Sequence, residues 1–161
     1  EDFSIEKWNL IIAVNLTSAF LTSKRVWKGM KAKGWGRIIN IASAHGLVAS
    51  EFKSAYVASK HGQLGLTKTL ALEGAPFGIT CNAICPGYVK TPLVDQQIKD
   101  QAIAHQISEA EVVQKVLLLK QPIKDFVKTE DIGAMCLLLC SEHGNLFNGS
   151  IISIDGGWSA Q

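Results

Sequence analysis

No stretch of this chain approaches the ~20 consecutive apolar residues needed to cross a bilayer, and none reads as a secretory leader. A soluble cytoplasmic protein is therefore expected, rather than a membrane-spanning or exported one. Charge of one sign is also lacking. Sixteen Lys and Arg against 14 Asp and Glu leave a net charge of +2, too little to point to nucleic acid. The single basic cluster, Lys24, Arg25, Lys28, Lys31 and Lys33, has only Trp27 and Trp35 for aromatic company. It falls at a helix end, where cations complement the macrodipole, and reads as a solvated terminus. Cysteine is scarce, with four residues in the pairs Cys81/Cys85 and Cys136/Cys140. Neither C-x-x-x-C pair has the tight spacing of a structural zinc site, so buried free thiols and no metal are expected. None of the 14 glycines forms a phosphate-cradling turn between a strand and a helix, since Gly34-Trp35-Gly36 precedes a strand.

What is present is a core. Hydrophobic residues make up 47% of 161 positions and charged ones 19%, away from the disordered regime and enough for one domain spanning residues 1–161. Residues 4–33 read as one long helix, with Trp8, Ile11, Ile12, Leu16, Phe20 and Trp27 on a broad apolar face. A short β-branched run, 37–43, predicts a buried strand. A second helix over 55–73 should end near Gly74, and a strand over 79–84 should lead into Pro86-Gly87. Residues 93–121 look helical but interrupted, with Ser108-x-x-Glu111 as a restarting capping box. Thr129, Glu130 and Asp131 open a further helix to about 141, and a strand over 150–155 closes the pattern. Strands alternating with helices imply an α/β fold with a parallel sheet and right-handed crossovers.

The chemistry is concentrated in Ser54-Ala-Tyr-Val-Ala-Ser-Lys60. Four residues is one helical turn, so Tyr56 and Lys60 share a helix face. A free phenol titrates near pH ~10, and a neighbouring cation favours the phenolate, which suits tyrosine to general acid/base work. Ser43 lies thirteen residues earlier, at the end of the predicted buried strand. Open α/β sheets place ligands beyond the carboxyl ends of their strands, where a serine hydroxyl can hold a carbonyl oxygen.

Asn15 in Val14-Asn-Leu-Thr-Ser-Ala-Phe20, Ser43, Tyr56-x-x-x-Lys60 and Cys85-Pro-Gly-Tyr-Val-Lys-Thr-Pro92 together resemble the classical short-chain dehydrogenase/reductase family, and the similarity runs on to Asp155-Gly-Gly-Trp158. The resemblance implies a Rossmann-like doubly wound parallel sheet, of which this chain is expected to be the C-terminal part, without the N-terminal dinucleotide-binding strands. It implies hydride transfer with NAD, with Tyr56 as acid/base, Lys60 favouring the phenolate and contacting the nicotinamide ribose, Ser43 orienting substrate oxygen, and Asn15 holding a water. Pro86, Gly87, Val89 and Thr91 resemble the loop that packs on the nicotinamide.

His45, Lys53 and Gln97 resemble the carboxylate-binding set of D-3-hydroxybutyrate dehydrogenases within that family, although read from spacing alone His45 and Lys53 are solvated loop residues. Tyr88 stands where a larger aromatic is common. A small hydroxy acid is the expected substrate, with a 3-oxoacyl thioester reductase and a catalytically silent fragment or assembly partner as alternatives. The family also implies a homotetramer.

Overall fold

The structure, a computed structural model, describes residues 1–160. Ser4 starts the first helix by accepting the Lys7 amide on its hydroxyl, at 3.2 Å. Helix α1, Ile5–Ile12, runs into a π-helical turn at Ala13–Thr17 and continues as α2, Ser18–Lys33. The unbroken helix expected over 4–33 is thus corrected to a helix widened in its middle. The cause is local. Asn15 Nδ2 donates to Ile11 O at 3.1 Å and Ser18 Oγ to Val14 O at 2.5 Å, so side chains take carbonyls that a regular ladder would use.

Three parallel strands follow in the order β1–β2–β3: β1 Gly36–Ile41, β2 Ile79–Pro86 and β3 Ile151–Ile154. Gly36 pairs with Ile79 and Ala83 with Ile151, and β2, central in the sheet, is buried along its whole length. The β1–β2 crossover contains α3, Ser54–Gly74. The β2–β3 crossover contains α4 Pro92–His105, α5 Glu109–Val112 and α6 Thr129–Cys140. The arrangement is the Rossmann-like α/β sheet that the alternating pattern implied. The expected capping box is present: Ser108 Oγ accepts the Glu111 amide, and the Glu111 carboxylate accepts the Ser108 amide.

The core has three parts. Ile38, Leu70, Ala71, Ile79 and Cys81 pack with Trp27 and Met30. Ala42, Leu64, Ala83 and Cys85 pack with Ile151, nearer the strand ends. Ile98, Val112 and Leu117 form a separate cluster with Tyr88 and Val94, which fixes the α4–α5 region over the loop after β2. Asn82, buried in β2, is bonded through both ends of its amide: it donates to Phe147 O at 2.7 Å and accepts the Ser150 amide at 3.0 Å, tying the approach to β3 onto the central strand.

The second helix ends at Gly74 as expected, and the positive φ comes at Gly78, after a 3₁₀ turn through Ala75–Phe77. One expectation needs correction. The cysteines are not uniformly buried. Cys81 and Cys85 are, Cys136 is half-buried, and Cys140 is exposed on the face of α6 that also presents Leu137. Burial pushes the Cys81 thiol up to about 11, which makes it inert. No helix among the described residues is long and apolar enough to cross a membrane.

Gly34 and Gly78 test how the α2–β1 and α3–β2 turns meet. Both have positive φ, 65° and 68°. A Cβ at Gly34 meets nothing within 4 Å, whereas one at Gly78 would lie 2.3 Å from the Gly34 carbonyl oxygen. Gly34→Ala is expected to cost only the left-handed conformation, about 1–2 kcal/mol. Gly78→Ala should cost clearly more, because backbone must move. Denaturation midpoints of the two variants check this, and equal losses would show that the turns are not in contact.

Candidate active site

The carboxyl ends of all three strands deliver side chains to one cleft of about 490 Å³. Ser43 and His45 follow β1; Gly87, Tyr88, Val89 and Thr91 follow β2; Trp158 follows β3. Helix α3 contributes Tyr56 and helix α4 contributes Gln97, while Lys53 lies just before α3. Ser43, His45, Lys53, Tyr56 and Gln97, separated by up to 54 positions in sequence, therefore share one space.

Ser43 is buried, with extended backbone, and its hydroxyl accepts the His45 amide at 3.1 Å, capping the short turn Ala44–Gly46. Its O–H hydrogen stays available to a ligand oxygen. Behind the half-buried Tyr56, the Lys60 ammonium sits 5.7 Å from the ring centroid. Lys60 is buried and donates to Ile41 O at 3.0 Å and Gln63 Oε1 at 3.1 Å. Desolvation lowers its pKa, and Cys85 acts in the opposite direction.

Asn15 and Pro86 stand apart from this lining. Asn15 lies in the π-helical turn with its amide committed to Ile11 O, one turn from Ile11, which does reach the cleft. Pro86 ends β2 and is buried, setting the direction in which Gly87 leaves the sheet. The loop that follows is pinned: Lys90 N donates to Val127 O and Val127 N to Tyr88 O, both at 2.9 Å. Thr91 Oγ1 then caps α4 through the Val94 amide at 3.4 Å.

His45 is buried against aromatic edges, 4.9 Å from the Trp158 ring and 5.8 Å from that of Tyr56, and its Nε2 is 3.0 Å from Ser50 Oγ. Burial first, then Lys53, Lys120 and His61, lower its pKa from 6.5 to about 4, so the ring is neutral at physiological pH. Lys53 is solvent-accessible; partial desolvation and then Lys120 lower its pKa. Before it, Phe52 is wholly exposed with φ 61°, a strained left-handed conformation at the cleft rim.

The aromatic wall escaped the sequence reading. Trp158 stacks on Tyr88 at 6.0 Å with planes 3° apart and meets His45 edge-on. It is held by the buried Asp155, whose carboxylate accepts the Gly157 amide at 3.0 Å and the Ser159 amide at 2.9 Å. An acid, two glycines and an aromatic directly after a strand was the available signal, because such a turn aims the ring back over the strand end.

Some of these groups fit a nicotinamide nucleotide. An ammonium has three N–H donors, and two of those on Lys60 have protein acceptors, leaving one for a ribose hydroxyl. Gly87, Val89 and Thr91 line the same cleft as Tyr56 and offer backbone and a hydroxyl to a carboxamide. The described residues contain no glycine-rich strand-to-helix turn for a pyrophosphate.

Comparison with known proteins agrees with this geometry. A family model described as enoyl-(acyl carrier protein) reductase matches residues 1–159. A Rhizobium meliloti protein named D-beta-hydroxybutyrate dehydrogenase is 56% identical over the whole chain, which covers 62% of that relative. A Cupriavidus necator protein of the same name is 52% identical with the same coverage. Among solved structures, an actinorhodin polyketide ketoreductase variant with NADPH superposes with a TM-score of 0.90 at 33% identity, over 99% of this chain and 62% of that one. The chain thus spans somewhat less than two thirds of these relatives.

The neutral His45 has a consequence for stability. Its unfolded pKa is 6.5 and its folded pKa about 4, so between those values the unfolded state binds more protons. The stabilisation is complete above pH 6.5 and is lost as pH falls toward 4. Denaturation curves taken across that window are expected to show a decline that is shallower in His45→Asn. Parallel profiles for the two proteins would rule out His45 as its source.

Proposed function

This chain belongs to the short-chain dehydrogenase/reductase family, and on that premise we propose that the protein carrying it is an NAD-dependent dehydrogenase interconverting D-3-hydroxybutyrate and acetoacetate. The observation that carries the reading is the convergence of Ser43 and Tyr56 with His45, Lys53 and Gln97 in one cleft. The first pair suits a hydroxyl or carbonyl oxygen, the second group a carboxylate at the other end of a short acid. The names of the Rhizobium meliloti and Cupriavidus necator relatives support the same substrate.

In oxidation, Ser43 donates a hydrogen bond to the substrate oxygen and holds it beside Tyr56. Tyr56, as phenolate, takes the hydroxyl proton; in reduction it returns that proton to the carbonyl. Lys60 in its charged form stabilises the phenolate through space, its ammonium held in place by Ile41 O and Gln63. Lys60 and the loop containing Pro86, Gly87, Val89 and Thr91 would hold a nicotinamide nucleotide, which would supply the hydride acceptor or donor. Asn15, in the π-helical turn, would hold a water. Lys53 pairs with the substrate carboxylate, Gln97 donates to it, and neutral His45 adds a hydrogen bond without a third charge.

The exposed apolar residues Leu10, Val14, Phe20, Leu21 and Val26 along α1, the π-helical turn and α2 support a homotetrameric assembly.

NADH formation from D-3-hydroxybutyrate by the natural protein containing this sequence tests the reading. Tyr56→Phe is expected to lower kcat by about 10²–10⁴ with a smaller effect on KM. Lys53→Ala is expected to raise KM for the acid instead. Turnover of a 3-oxoacyl thioester in preference to the free acid would assign the site to the thioester reductases. Activity of Tyr56→Phe equal to wild type would remove the acid/base role.

A further inference from the structure

Behind the cleft, α3 buries a polar stripe against the sheet. Lys60, Gln63 and Thr67 lie on one face of the helix, three and then four residues apart, and all three are buried. Thr67 Oγ1 donates to the Gln63 backbone carbonyl at 2.8 Å and accepts from Asn40 Nδ2 of β1 at 2.8 Å. The Gln63 side chain reaches back one turn instead, where its Oε1 accepts from Lys60 Nζ at 3.1 Å. An ammonium only donates, so the oxygen of the amide, and not its nitrogen, faces Lys60. Among the described residues no carboxylate is bonded to this ammonium. Its two acceptors, Ile41 O and Gln63 Oε1, are both uncharged.

We propose that Gln63 is a positioning residue for proton transfer: as an uncharged acceptor it fixes the Lys60 ammonium and leaves the whole of its charge to act on Tyr56. The proposal rests on the dehydrogenase reading above and adds to it a residue outside the set read from the sequence.

Three physical points support it. A buried ammonium needs acceptors, and the Ile41 carbonyl supplies only one; with Gln63 as the second, the direction of the third N–H is fixed as well. A carboxylate in the place of Gln63 would also hold the ammonium, but its negative charge would offset the field that favours the phenolate. The surroundings supply the third point, since they bring no rival charge. The titratable groups facing Lys60 are Tyr56 on its own helix and Cys85 on β2. Burial pushes the Cys85 thiol up, against opposing effects of the Ser43 backbone and Lys60, so the thiol stays uncharged at neutral pH. Asp155 acts on Cys85 from the turn after β3, and its carboxylate is committed to the Gly157 and Ser159 amides. His45, Lys53 and Tyr88 lie on the cleft side, with Tyr56.

The test uses the natural protein that carries this sequence, as wild type, Gln63→Glu and Gln63→Met. Neither substitution removes the backbone carbonyl that Thr67 holds, so the tie from α3 to β1 through Asn40 survives both. Titration of Lys60 is followed by NMR of isotope-labelled lysine side chains, its signal identified by its absence in Lys60→Arg. Gln63→Glu is expected to move that titration to higher pH, because the added carboxylate favours the ammonium. Gln63→Met is expected to move it to lower pH, because the charged form loses an acceptor. Turnover of D-3-hydroxybutyrate is measured in parallel. Both variants are expected to lower kcat at neutral pH about tenfold with KM changed less than about twofold, and the pH profile of kcat in Gln63→Glu is expected to shift to higher pH. Opposite shifts of Lys60 in the two variants are not the mark of a merely structural residue. Lys60 titration unchanged in both variants overturns the proposal. So does a pH profile of Gln63→Glu that coincides with wild type. Opposite Lys60 shifts in a protein whose wild type turns over no hydroxy acid sink the dehydrogenase reading while leaving the hold of Gln63 on Lys60 standing.

Discussion

A single hydrogen bond ties the chemistry to the sheet. The Lys60 ammonium donates to the carbonyl of Ile41, the last residue of β1, and so joins the middle of α3 to the strand end from which Ser43 departs two residues later. Tyr56 stands one turn earlier on the same helix. Its distance from Ser43 therefore depends on a contact between a helix and a strand, not on either element alone. A hydrogen bond to a charged group is worth about 1.5–3 kcal/mol, and leaving a buried ammonium unpaired costs more than the bond gains. The bond thus constrains where the helix sits against the strand, with Gln63 on the same helix as the second acceptor.

Parallel topology does the rest. All three strands point the same way, so their carboxyl ends lie at one edge of the sheet, and the loops leaving them form a common rim. Each loop is then fixed by its own small device. Ser43 caps the turn containing His45, Val127 bridges the strand of loop at Tyr88 and Lys90, and Asp155 closes the turn that carries Trp158. These devices use backbone amides and buried polar side chains, which makes the rim rigid although most of it is irregular chain. Rigid placement matters because a proton transfer needs its partners within hydrogen-bond distance.

Electrostatics divides the cleft into two halves. Around Tyr56 the dominant charge is one buried ammonium with defined acceptors. Around Lys53 there is a histidine that its own burial first, and the neighbouring lysines second, keep neutral. The first half suits a group that must change protonation state, and the second suits a ligand whose charge stays constant. A short molecule with a hydroxyl at one end and a carboxylate at the other matches that division.

The alternation of strands and helices, the capping box at Ser108 and the helix containing Tyr56 and Lys60 were all legible from residue order, because each depends on neighbours within a turn or a strand. The same holds for the pairing of Tyr56 with Lys60, set by helical period. The π-helical turn at Ala13–Thr17 was not legible, since Asn15 and Ser18 are tolerated in a regular helix and only the packed chain shows which carbonyls they take. The exposure of Cys140 depended likewise on which face of α6 meets the sheet. The meeting of Lys53, Lys120, Tyr88 and Trp158 lay furthest from sequence reach, since it joins four segments through packing across more than 100 positions. Local order thus determined which groups this protein carries and on which elements. Tertiary structure decided which of them share a cavity, because distance in space is set by how hydrophobic faces close on one another, and that depends on the whole chain at once.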